Sequence, residues 1–215
     1  MFDATKLKLY YDYILNTVKD EGEDPVFEKI TEQVIDNFIV PLNLKKNAKI
    51  LDIGSGTGCF ADYMKKLGYT NITCTTMTTC DEDALRKKGH NYIKTDINFI
   101  SKPDNSYDFI FCRHTLEHSP FPYIALLEYN RLLNKKGKIY VEMPQPNGLR
   151  GTEINPEHYS ILGEIMLQSL ISKAGFVIDW YRNAQIPITH TDTKKVKQEN
   201  YNCVLATKVG NIEVK

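Results

Sequence analysis

The 215-residue chain has no excess charge of either sign: 27 Lys and Arg stand against 27 Asp and Glu, so the formal net charge is zero. That argues against the global basic field of a nucleic-acid binder. Short basic clusters at Arg86-Lys-Lys88 and Lys194-Lys-Val-Lys197 read as solvated faces. The chain also lacks any C-x-x-C pair. Its five cysteines, at 59, 74, 80, 112 and 203, are odd in number, which argues against a disulfide frame or a cysteine zinc site. Cys74, Cys112 and Cys203 fall in apolar strand patterns, where a free thiol packs as a small hydrophobe. No run approaches the ~18 apolar residues of a membrane span. Met1-Phe-Asp-Ala-Thr-Lys6 has no apolar signal-peptide core. The expectation is a soluble cytoplasmic protein with no membrane partner. H-E-x-x-H and G-x-S-x-G are absent as well. His114 and His118 have i, i+4 spacing, but Glu117 lies outside the H-E-x-x-H pattern, so no metal site is expected. No repeat or low-complexity tract occurs.

What is present is concentrated at Lys49-Ile-Leu-Asp-Ile-Gly-Ser-Gly-Thr-Gly58. A short apolar run ends in glycines at 54, 56 and 58. A helical pattern follows, with Phe60, Met64 and Leu67 on one face. Strand, glycine turn and helix together let a ligand touch bare backbone at a strand end. The helix start adds free N–H groups and positive potential. A dinucleotide fingerprint, G-x-G-x-x-G, would need its third glycine at Cys59 and an acid after the next strand. That strand, Asn71-Ile-Thr-Cys-Thr-Thr76, ends without one, which disfavours an oxidoreductase that uses NAD.

Leu51-Asp-Ile-Gly-Ser-Gly-Thr-Gly58 resembles the first motif of class I S-adenosylmethionine-dependent methyltransferases, of the type 11/12 kind. Four further segments agree in order and spacing: Tyr92-Ile-Lys-Thr-Asp96, Asp104-Asn-Ser-Tyr-Asp-Phe-Ile-Phe-Cys112, Leu116-Glu-His118, and Leu132-Leu-Asn-Lys-Lys-Gly-Lys-Ile-Tyr-Val-Glu142. The resemblance covers roughly residues 30 to 209.

Strand patterns at about 49–53, 71–76, 91–95, 107–112 and 138–143 alternate with helical patterns at about 58–67, 80–88, 121–133 and 157–174. Such alternation predicts parallel βαβ units. Thr79-Cys-Asp-Glu82 reads as a capping box, and Gly175 as the residue that ends the last helix. Two closing strands, 176–183 and 200–208, have no helix between them and predict an antiparallel pair. The fold expected is α/β: a Rossmann-like, seven-stranded, mostly parallel sheet, with helices on both faces and an antiparallel last strand. Residues 46–215 form the expected methyltransferase domain. Residues 1–45 form an N-terminal extension, with a turn at Glu21-Gly-Glu-Asp-Pro25 and a helix from Val26 to Val40 that Pro41 ends. It either covers a sheet edge or lies over the cofactor cleft as a lid.

The resemblance assigns site residues at each strand end. Gly54, Gly56 and Gly58 let the methionine portion of S-adenosyl-L-methionine approach the backbone. Asp52 orients that turn or the cofactor's ammonium. The family's ribose-binding acid aligns with Thr76, followed by Met77; a hydroxyl cannot act as a charged double acceptor, and Asp81 is the alternative. Asp96 would accept from the adenine amino group, with Ile97 against the ring. Arg113 and His114 would lie near the methionine portion. His118 would face the reacting methyl as a candidate base. Glu117 is a substrate-side candidate or a loop-ordering acid. Asn155-Pro-Glu-His-Tyr-Ser160 is similar to a segment of a bacterial and phage branch, and nominates His158 as a second candidate base and Tyr159 for the substrate side. Amino-methylating nucleic-acid enzymes carry (Asn/Asp)-Pro-Pro-(Tyr/Phe) after the fourth strand. Here that place reads Arg113-His-Thr-Leu116, so a small-molecule acceptor, such as a sugar or biosynthetic intermediate, is expected instead. The rival readings are a non-catalytic nucleoside-binding module and a protein or nucleic-acid methyltransferase.

Overall fold

In the computed structural model, residues 4–17, 25–148, 151–189 and 196–210 are described. The first five strands are β1 (Ile50–Ile53), β2 (Ile72–Thr76), β3 (Asn91–Lys94), β4 (Tyr107–Arg113) and β5 (Leu133–Pro144). They are followed by β6 (Phe176–Thr189) and β7 (Val196–Lys208). All seven share one sheet in the order β3-β2-β1-β4-β5-β7-β6. β7 runs antiparallel to both neighbours, β5 and β6, while β1 to β5 pair in parallel. The expected sheet and its antiparallel last strand are therefore present.

Alternation along the strands splits the core into two layers. Leu51, Ile53, Ile110, Cys112, Ile139 and Val141 face one side. There they meet Leu126 and Tyr129 of α5 (Pro122–Leu132) and Leu167 and Ile171 of α6 (Glu164–Lys173). Ile50, Phe109, Phe111 and Tyr140 face the other side and meet Phe60 and Met64 of α3 (Cys59–Lys66). Ile35 and Ile39 complete this second layer. They lie on a π-helical turn that continues α2 (Pro25–Val34). The chain passes through Pro41 in a short 3-10 turn and stops at Asn43, which is left-handed.

Several boundaries differ from expectation for local reasons. The helix expected over 157–174 forms only at Glu164–Lys173. Its first part is claimed by other acceptors: the Glu157 amide donates to Asn155 Oδ1, and the Tyr159 and Ser160 amides both donate to the Glu117 carbonyl. α4 (Thr79–Lys87) is capped by Thr78, whose hydroxyl accepts from the Asp81 amide, so the cap lies one residue before the expected Thr79. β5 starts at Leu133, and the basic glycine turn is an irregularity within the β4–β5 pairing. Gly175 is left-handed just after α6, as expected. Residues 21–24 of the expected turn lie outside the described residues. Among the described residues no helix is long and apolar enough to cross a membrane. α1 (Ala4–Thr17) opens the described chain.

Candidate active site

The strand order reverses between β1 and its neighbours β2 and β4, and open α/β sheets bind ligands beyond the carboxyl ends at such a point. A cavity of about 630 Å³ lies there. Thirteen of the fourteen residues nominated from the sequence line it: Asp52, Gly54, Gly56, Thr76, Met77, Asp96, Ile97, Arg113, His114, Glu117, His118, His158 and Tyr159. Gly58 does not. It precedes α3, and a Cβ there would lie 2.8 Å from Leu85 Cδ2.

The loop after β1 is held to β2. The Gly54 amide donates to Thr75 Oγ1 and the Ser55 amide to the Thr75 carbonyl. Gly54 is left-handed, and a Cβ on it would meet Thr115 at 2.4 Å. Gly56 is left-handed too, at φ +51, but a Cβ there would meet nothing within 4 Å. The first glycine is therefore demanded by packing. The second leaves open space beside bare backbone.

Asp52 ends the buried floor. It is 2% exposed, and its Oδ2 has no hydrogen-bond partner among the described residues. Burial alone pushes its carboxyl up to about 8, because desolvation penalises the charged form. A buried polar atom without a partner is rare. A ligand ammonium would supply one.

At the end of β2, Thr76 Oγ1 donates to Asp81 Oδ2 over 3.3 Å. Asp81 also lines the cavity, so the first turn of α4 brings a carboxylate to the strand end that lacks one. After β3, Asp96 Oδ1 accepts from the amide and side chain of Asn98 at 2.6 and 2.8 Å. This orders the loop, and Ile97 follows, 9% exposed.

The end of β4 carries most of the charge. Arg113 Nε donates to Glu142 Oε1 at 2.8 Å, and its Nη1 donates to Thr31 Oγ1. The guanidinium lies 4.4 Å from the ring centre of Phe27, a cation–π contact. Tyr140 also donates to Glu142. Burial works to raise the Glu142 carboxyl, but Arg113, His114 and Tyr140 hold it at about 2. His114 sits between two acids, with Nδ1 3.5 Å from Glu117 Oε1 and Nε2 3.3 Å from Glu142 Oε1. Burial and Arg113 disfavour its cation, yet the two carboxylates prevail and raise its pKa. Burial opposes ionisation of Glu117 in the same way, and its histidine neighbours hold its pKa down. His114 has φ +51, an uncommon conformation for a non-glycine residue that tends to occur at functional sites.

The far wall comes from the loop before α6. His158 and His118 face each other with ring centres 4.8 Å apart. Tyr159 is 38% exposed at the rim. Among the contributors that sequence reasoning missed are Ile14 of α1, Phe27 and Thr31 of α2, and Tyr201 of β7, all of which line the cavity. Thr31 shows a weak signal, a polar side chain on the apolar face of an amphipathic helix. Tyr201 shows none, because it reads as one more strand residue.

Known proteins share this fold. A family described as "Methyltransferase domain" matches residues 26–180. The match starts inside the expected N-terminal extension. A probable methyltransferase, ltbC of Aspergillus luteorubrus, is 30% identical over 117 residues, 46% of this chain and 41% of that protein. The chain spans less than half the length of the curated relatives it matches. Among solved structures, a putative methyltransferase from Bacillus halodurans superposes with TM-score 0.70 at 14% identity, covering 83% of this chain and all of that one. A SAM-dependent methyltransferase from Methanosarcina mazei gives 0.65 at 18%, covering 80% and 97%. The cofactor of this family is S-adenosylmethionine, and the orphan Asp52 carboxylate beside the open Gly56 backbone fits its ammonium and methionine end. With the family match spanning most of the sheet and the strand-end cavity beneath it, the chain belongs to the methyltransferase domain family.

Proposed function

We propose that this chain transfers the methyl group of S-adenosylmethionine to a small-molecule acceptor that binds against Glu117, His118, His158 and Tyr159. The observation that carries the reading is the polarity of the cavity. Its lining includes a buried acid, Asp52, whose Oδ2 has no partner among the described residues, and two imidazoles, His118 and His158, that meet edge to face. When bound, the cofactor supplies an electrophilic methyl carbon on a sulfonium, so alignment of the nucleophile is the main demand on the protein. In this reading Asp52 takes the ammonium, Gly54 and Gly56 admit the methionine portion, and Gly58 shapes the turn. Thr76 and Asp81 together accept from the ribose. Met77, Asp96 and Ile97 hold the adenine. Arg113, pinned by Glu142 and Thr31, fixes the floor, and His114 stands beside the methionine portion. His118 and His158 handle the proton of the acceptor.

Residues 1–45 serve as a cover over the cleft, and 46–215 as the catalytic domain. The presence of Ile14 and Phe27 in the cavity wall supports the cover. Zero net charge and Arg113-His-Thr-Leu116 after β4 support a small acceptor over a nucleic acid. A thermal-shift assay with S-adenosylhomocysteine and NAD, followed by a methyl-transfer screen on pooled metabolites, sugars and nucleic acids, tests the reading. Stabilisation by S-adenosylhomocysteine alone and labelling of a metabolite are expected. Stabilisation by NAD would overturn it. Cofactor binding without transfer to any pool would favour a non-catalytic binding module.

A further inference from the structure

We propose that Glu117, His118 and His158 form a binding site for one divalent transition-metal ion at the acceptor end of the cavity. One ligand atom from each lies within 4.8 Å of the other two. The two imidazoles meet edge to face, at 77° between planes, so they converge without stacking. Each is already oriented through its other nitrogen. His118 Nδ1 lies 3.0 Å from the Glu157 carbonyl, and His158 Nδ1 lies 2.7 Å from the Thr152 carbonyl. A carbonyl oxygen only accepts, so Nδ1 carries the proton in both rings and Nε2 carries the lone pair. Metal-binding histidines are typically held in this way, with the second nitrogen donating to a carbonyl or carboxylate. His158 Nε2 meets the Asn155 amide nitrogen at 3.4 Å, a contact that is weak and easily displaced.

Glu117 supplies the charge. Its side chain is 1% exposed. Oε1 faces His114, but Oε2 is buried with no hydrogen-bond partner among the described residues. A carboxylate oxygen left bare in the interior is costly, and a cation beside it removes that cost. The three residues lie up to 41 positions apart in the chain, from Glu117 to His158, yet the backbone holds them together. The Tyr159 and Ser160 amides donate to the Glu117 carbonyl at 2.8 and 3.0 Å. Ser160 Oγ donates to the Leu116 and Ser119 carbonyls as well. The ligand set is therefore assembled before any ion arrives.

Two imidazoles and one carboxylate suit Zn²⁺, Fe²⁺, Co²⁺ or Mn²⁺ rather than Mg²⁺ or Ca²⁺, which prefer all-oxygen shells. Three protein ligands leave positions open towards the cavity, as in catalytic sites. What the ion does there rests on the methyl-transfer reading. A hydroxyl of the acceptor in an open position becomes acidic near neutral pH. With both imidazoles bound to the ion, they act on the hydroxyl proton through the ion and do not accept it themselves, and it leaves to solvent. The oxygen pair then forms the bond to the methyl carbon, and the carbon–sulfur bond breaks with its pair kept on sulfur.

The test uses untagged, chelator-treated protein titrated with Co²⁺ and followed by visible absorption. Wild type should take up one ion per chain, with Kd of ~1 μM or tighter and the intense bands of low-coordinate, nitrogen-ligated cobalt. His158→Ala and Glu117→Gln should each weaken binding at least ~100-fold. If a variant fails to fold, the wild-type spectrum decides: only the pale spectrum of the hydrated ion overturns the proposal. Variants that bind like wild type overturn it too. S-adenosylhomocysteine binding is measured on the same metal-free protein. Cofactor binding without Co²⁺ uptake sinks the metal site and spares the methyl-transfer reading. Co²⁺ uptake lost in the variants, without cofactor binding, does the reverse.

Discussion

Asp52 should make cofactor binding release a proton. In the empty protein its carboxyl is held near 8 by burial alone. At pH 7 it is therefore ~90% protonated. An ammonium in contact with Oδ2 favours the carboxylate, so the bound state should be ionised. Binding at pH 7 then releases ~0.9 proton, and linkage requires affinity to rise with pH. Between pH 6 and pH 8 the unbound carboxyl goes from ~1% to ~50% ionised, so Kd for S-adenosylhomocysteine should tighten ~50-fold. Calorimetry in two buffers of different ionisation enthalpy reads the proton count directly. His114 also titrates beside the cavity, with a raised pKa. Asp52→Asn separates the two, because it keeps the shape and removes the charge. That variant should bind with little pH dependence over the same range. A flat profile in wild type, or an unchanged slope in Asp52→Asn, refutes the assignment of Asp52 to the ammonium.

Gly56→Val places a β-branched side chain at φ +51 in the open part of the cavity; S-adenosylhomocysteine affinity measured by calorimetry should fall at least ~100-fold, about 2.7 kcal/mol. Asp81→Asn should weaken binding of the same ligand ~10-fold, since it removes the charged acceptor beside Thr76; unchanged affinity would return the ribose to Thr76 alone. Arg113→Met leaves Glu142 buried without its cation and should cost ~3–5 kcal/mol in urea denaturation at pH 7. Glu142 has a depressed pKa, so its stabilising contribution is present above the ordinary value of 4.5 and is lost as pH falls towards about 2. The gap between Arg113→Met and wild type should therefore narrow across that window.

Much of the fold is legible because the strands obey simple periodicity. Ile50 to Ile53 is buried on both faces, which is why it reads as a short apolar run interrupted only by Asp52. The glycine turn is legible because left-handed backbone has few solutions other than glycine. The acceptor wall is less so. The segment before α6 has helical spacing, but its amides bond to Asn155 and Glu117 instead of forming a helical ladder. His158 and Tyr159 were nominated from a similar segment elsewhere, and their partners could not be. The grouping of Glu117, His118 and His158 was invisible because sequence spacing tests only neighbours on one element. The Arg113–Glu142 pair joins the ends of two strands 29 residues apart, and nothing local in either strand signals the other. The bond that Arg113 donates to Thr31 spans 82 residues.

That last bond bears on where this protein could be divided. A fragment that starts at residue 46 would lose the hydroxyl on Arg113 Nη1 and the aromatic face of Phe27 over the guanidinium. It would also lose Ile35 and Ile39, both fully buried against the sheet. Arg113 in the cavity wall and its partner Glu142 would then be open to water, and an apolar layer would lose its cover. α2 and the π-turn after it thus behave as an outer layer of the sheet rather than as an appendage, and a severed 46–215 fragment would need them returned as a separate peptide to recover that cover.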